Sequence, residues 1–270
     1  MGRVPRRMRN GNMSQQHERF RVRAIFVVPL LCCFALLAGC SITHRYQPSA
    51  GGGGTAVEEV SYVRRLLRAA CGKLREVSAG GDSAVLLAEA EQLTSKAAEE
   101  WARFLQSHSD APPYDYSAHP DWHVATRDLS DAIHGMLERV KMRDAPEAFR
   151  ACTVACGKFV SLNESAGVRR TSDVLFRFRK AAKPLSGSVT SGSLETVAMA
   201  ITRLEEIRDE ALREPVGGVG TPMEKRAALQ AFSDAVDDFA AAVKAREADR
   251  LRPLFDRMMS SLERAYDLYL

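Results

Sequence analysis

The chain has 270 residues, 46% of them hydrophobic, six cysteines and a formal net charge of +4. Residues 1–23 hold seven arginines against one glutamate, or +6, so the remainder stands near −2 and leaves no basic footprint for nucleic acid. Cys32, Cys33 and Cys40 fall in or at the end of an N-terminal apolar run. Only Cys71, Cys152 and Cys156 remain, which excludes a disulfide-built scaffold.

The basic start is followed by AIFVVPLLCCFALLAG and then Cys40. A basic stretch, an apolar stretch and small residues before a cut form the pattern of a secretory leader. The apolar run is shorter than the ~20 residues a membrane-spanning helix needs. Leu37-Ala38-Gly39-Cys40 resembles the lipobox of bacterial lipoproteins. That resemblance implies a signal peptide over 1–39, diacylglyceryl transfer to the Cys40 thiol, cleavage before it and acylation of the new terminus, for which palmitate is typical. Several acyl chains, at ~0.8 kcal/mol per buried methylene, anchor a protein stably. Ser41 follows Cys40 where an aspartate would mark retention, so the expected location is the bacterial outer membrane, facing the periplasm.

Residues 40–56 then form the lipidated cysteine and a Gly-rich tether, a composition that is flexible. From Val57 on, helical periodicity dominates and no strand pattern competes. Val60, Val63, Leu67, Ala70, Leu74 and Val77 make the first stripe. Leu86, Ala90, Leu93, Ala97, Trp101 and Phe104 make the second. Leu129, Ala132, Met136 and Val140 are the third; Phe149, Cys152, Cys156 and Phe159 are the fourth. Four more helices are expected at about 171–183, 193–213, 222–246 and 248–269. Thr221-Pro222-Met223-Glu224 reads as a capping box with proline at the first helical position, and Asp144 precedes Ala145-Pro146 in a similar way. Gly80-Gly81, Ser191-Gly192-Ser193 and EPVGGVG (214–220) are breaks. The longest irregular piece is residues 107–121.

Shifting the chain by 103 residues lays LSDAIHGMLERVKMRDA (129–145) on FSDAVDDFAAAVKAREA (232–248), with seven of 17 positions identical. The expected architecture is therefore all-α, two tandem antiparallel four-helix bundles over 57–163 and 164–270.

At the same shift Cys152 falls on Phe255 and Cys156 on Met259, which makes both cysteines core side chains of the fourth helix. A disulfide is the alternative, either between these two or from Cys71 to one of them. The stretch DLSDAIHGMLERVKMRDAPEAFRACTVACGKFV resembles the cytochrome c-prime and cytochrome c556 class. That class attaches haem through C-x-x-C-H on its last helix. Here three residues separate Cys152 from Cys156, and Gly157 stands where the histidine would. The resemblance implies the fold and a vestigial haem position at Cys152 and Cys156, without the cofactor.

His119 and His123, with Asp121 and His108, are the remaining candidates for metal ligands, in a loop without a zinc-protease signature. His134 aligns with Asp237 and reads as solvated. The basic, aromatic run 169–180 reads as a helix's outer face or as a contact for anionic lipid. No local nucleophile, acid–base pair or phosphate loop is present, so the sequence gives no catalytic residue and no cofactor. The expectation is a non-enzymatic binding or scaffolding lipoprotein, held to the membrane by its anchor, with an envelope protein partner and no nucleic acid. The alternative is a haem- or metal-binding redox module on the c-prime-like fold.

Overall fold

The computed structural model describes residues 55–270. The expected leader, Cys40 and the expected tether through residue 54 lie outside the described residues, and with them the expected cleavage and lipidation. All described residues belong to one compact unit. Its regular structure is entirely helical: α1 Ala56–Ser78, α2 Ser83–His108, α3 Trp122–Lys141, α4 Ala145–Ser165, α5 Thr171–Ala182, α6 Leu185–Thr190, α7 Leu194–Arg213, α8 Pro222–Lys244 and α9 Ala248–Tyr269. A single 3-10 turn, Tyr114–Tyr116, interrupts the loop after α2.

The boundaries follow local chemistry. Asp82 caps α2, accepting from the Ala84 and Val85 amides. Asp144 caps α4 at the Glu147 amide. The Thr221–Glu224 capping box opens α8 as expected, with Pro222 in its first turn. The structure departs from the sequence reading at several edges: α1 already includes Ala56, and α2 runs through His108. α4 runs to Ser165, past the expected end of the first unit at 163. A short α6 also appears where none was expected. Pro184 starts it, and Leu185 and Val189, four apart, turn the same side inward and are buried.

α1 packs on α2 and α4, α2 on α3, and α3 on α4, closing a cycle. α5 packs on α7 and α9, α7 on α8, and α8 on α9, closing another, with α6 against α7 and α9. The 103-residue offset reappears in the structure. Leu129, Met136 and Val140 are buried in α3, as are Phe232, Phe239 and Val243 in α8. Cys152, Ala155 and Phe159 are buried in α4, as are Phe255, Met258 and Leu262 in α9. The turns match as well: the Arg143 amide bonds Val140 O and the Asp144 amide bonds Arg139 O, while Arg246 bonds Val243 O and Glu247 bonds Ala242 O.

The segment between α7 and α8 lies against the end of α9. The Val219 amide donates to Leu268 O at 3.1 Å. Gly218 has φ +93°, and a Cβ there would sit 2.3 Å from Leu268 O, so only glycine fits this approach.

Candidate functional site

α1 is buried along two stripes. One is the apolar set read from the sequence; the other is Ser61, Arg64, Arg68 and Cys71, spaced three, four and three apart. This second stripe faces α4 and the later helices, and it brings chemistry inside.

Cys71 meets the two cysteines of α4 there. A Cys71–Cys152 disulfide joins the helices, with Cα atoms 6.1 Å apart. Cys156 is a buried free thiol. The three sulfurs all lie within 4.8 Å of one another, and no other three or more histidine, cysteine or carboxylate groups converge so closely among the described residues. The bond thus runs between helices, not between Cys152 and Cys156 along one. Burial pushes the Cys156 thiol up, against the pull of the nearby Arg64, Arg179 and Arg68 guanidiniums.

Beside the sulfurs runs a buried polar network. Arg64 pairs with Asp173 of α5 and donates to the Tyr266 hydroxyl of α9 at 3.1 Å. Asn163 Nδ2 donates to Asp173 Oδ2 at 2.8 Å, and the Tyr116 hydroxyl donates to Asn163 Oδ1 at 2.8 Å. Arg68 reaches Asp267 at 2.8 Å and also pairs with Glu263. Arg170, itself buried, donates to Glu58 at 2.7 Å. Both phenols are held protonated: burial pushes Tyr266 up to about 12 despite Arg64, and it raises Tyr116 further. Charged groups withdrawn from water need such partners, so α1 and α4 meet α5 and α9 in one arrangement.

On the outer side of α4 lies a groove of about 610 Å³. Val154, Gly157, Phe176 and Pro184 line it, with Arg179, Lys180 and Lys183 around them. Val154 is 56% exposed. Gly157 leaves the floor open, its missing Cβ facing the Phe176 ring at 4.0 Å. Arg179 is held by Glu263 at 3.3 Å, whereas Lys180 and Lys183 are exposed, Lys183 lying 5.9 Å from the Phe149 ring centroid. Gly157 therefore lines a groove.

The other sequence candidates are placed apart from both features. His119 Nδ1 accepts from the Asp121 amide at 3.1 Å, and its ring stands against Trp122. His123 and His134 are exposed. Neither His119 nor His123 joins a group of three or more converging ligand atoms. The loop itself is held by Tyr116, fully buried, and by Trp122, whose indole donates to His108 O at 3.1 Å. The basic run is divided: Arg170, Phe176 and Phe178 are buried, and Lys180 faces out at the groove.

Sequence reading missed Arg64, Asn163, Asp173 and Tyr266. The one signal was the spacing of Ser61, Arg64, Arg68 and Cys71, which keeps helical register while its composition imitates a solvent face. No protein-family model, curated protein or solved structure matches the chain.

Proposed function

We propose that the protein is a lipid-anchored, non-enzymatic binding module of the bacterial cell envelope, built as two tandem four-helix bundles and presenting the α4–α5 groove to an anionic amphiphile. The closed packing cycles α1–α4 and α5, α7–α9, with the matching turns 103 residues apart, support the duplicated architecture. The Leu37–Cys40 resemblance supports the anchor, and no described helix is long and apolar enough to cross a membrane.

The groove carries the binding reading. Its volume falls in the range of small-molecule sites. Val154 and Phe176 offer apolar surface, while Lys180 and Lys183 supply cations at the edge that form no ion pair among the described residues. A long-chain carboxylate fits both: its methylenes cover the apolar floor at ~25 cal/mol per Å², and its head meets the ammonium groups. Calorimetric titration with oleate tests this. The protein is expected to bind one oleate saturably, and Lys180→Glu with Lys183→Glu to weaken binding by at least about tenfold, 1.4 kcal/mol. Absence of saturable binding, or equal binding by the substituted protein, rejects the reading.

A further inference from the structure

The groove makes no use of the three sulfurs, and their convergence exceeds what one structural disulfide needs. A disulfide between α1 and α4 requires two cysteines. The third, Cys156, one helical turn from Cys152, lies against the same bond. In the corresponding turn of α9, Phe255 and Met259 fill this space without sulfhydryl chemistry. We propose that Cys71, Cys152 and Cys156 form a redox-gated site for a soft univalent cation, copper(I), which the Cys71–Cys152 bond closes and reduction opens.

The chemistry balances with a dithiol as reductant. Two electrons and two protons from the dithiol cleave the Cys71–Cys152 bond to two thiols, and the dithiol becomes a disulfide. Three thiols then face one point from two helices. Copper(I) displaces their three protons and forms three Cu–S bonds in a trigonal thiolate complex. Thiolates select soft cations of this kind. Zinc prefers a fourth nitrogen, sulfur or oxygen ligand, and among the described residues no histidine or carboxylate joins the cluster. The complex carries two net negative charges in the interior, where the Arg64, Arg68 and Arg179 guanidiniums lie near Cys156 while also pairing with Asp173, Asp267 and Glu263.

The test uses the full chain with Cys32→Ser, Cys33→Ser and Cys40→Ser, so that only the three buried cysteines remain. Reduced anaerobically with a dithiol and freed of it, the protein is titrated with copper(I) against a chromophoric copper(I) chelator. One copper per chain is expected, with three sulfur neighbours by X-ray absorption. The oxidised protein is expected to take none. Loss of a ligand costs more than loss of its supporting partner, so Cys156→Ser is expected to weaken binding by at least about tenfold. The coordination number in the cluster with all three cysteines is a readout that does not depend on how that substitution folds. Two-sulfur coordination, no copper in the reduced chain, equal copper in the oxidised chain, or undiminished binding by Cys156→Ser overturns the proposal.

Discussion

Arg143 and Arg246 stand 103 residues apart and both take the left-handed conformation, with φ of 61° and 58°. Each follows the end of a long helix and turns the chain into the next, α3 into α4 and α8 into α9. A non-glycine residue there costs ~1–2 kcal/mol through its Cβ. Glycine removes that cost but loses more chain entropy on folding, ~0.5–1 kcal/mol. Arg143→Gly and Arg246→Gly are therefore each expected to stabilise by up to about 1 kcal/mol, read as raised urea midpoints. Arg143 also lies 3.6 Å from Glu91, but that exposed pair contributes little. Proline at either site conflicts with the positive φ and is expected to destabilise strongly.

The Arg64–Asp173 pair is expected to behave as a buried ion pair does when broken. Both side chains are buried, at 3% and 5% exposure. Asp173→Ala leaves Arg64 charged and Asn163 without an acceptor, a loss of about 3–5 kcal/mol in urea unfolding. Replacing both partners, Arg64→Met with Asp173→Leu, is expected to recover most of it. Equal losses for the single and double variants would show that the pair's charge is not what matters.

The Cys71–Cys152 bond closes a loop of 81 residues. Constraining the unfolded chain over that length contributes about 4.5 kcal/mol. A dithiol is expected to lower the unfolding midpoint of the intact protein and to leave Cys152→Ser unaffected.

Alkaline pH acts through the buried phenols. Tyr266 rises from 10.0 to about 12 on folding, so the folded protein holds its proton more tightly than the unfolded chain. The stabilisation is whole below pH 10.0 and is lost as pH rises through about 12. Tyr116 is raised too, extending the loss in the same direction. Stability measured against pH should fall more steeply over this window for the unsubstituted protein than for Tyr266→Phe. In absorbance titration, tyrosinate from these two residues should form above the ordinary phenol range.

Helix positions, the α8 capping box and the 103-residue offset were legible because they depend on local spacing: apolar residues three and four apart, and a cap three residues before its acid. The seam was not. Arg64 and Asp173 are ordinary solvent-face residues in their own segments, and their meeting depends on how α1 lies against α5, 109 residues away. The cysteines show the same division. Their burial in α4 followed from the stripe, whereas the approach of Cys71 required the α1–α4 packing. The groove was hidden because Gly157 and Val154 have no distinctive spacing; it exists only where α4 passes Phe176 and Lys180. The short α6 was missed since six residues are too few for a periodic signal.

The anchor has its own check. Radiolabelled palmitate supplied to cells is expected to enter the protein at Cys40, and Cys40→Ser to release it from the membrane fraction. Labelling that survives the substitution would contradict the anchoring reading.

The most direct test of the binding reading is photolabelling of the purified protein with a diazirine-bearing long-chain fatty acid, followed by peptide mapping. The account predicts label on the helix segment around Thr153–Gly157 and on the stretch Phe176–Pro184, suppressed by excess oleate. Label spread over the surface, or concentrated away from these two segments, would contradict it.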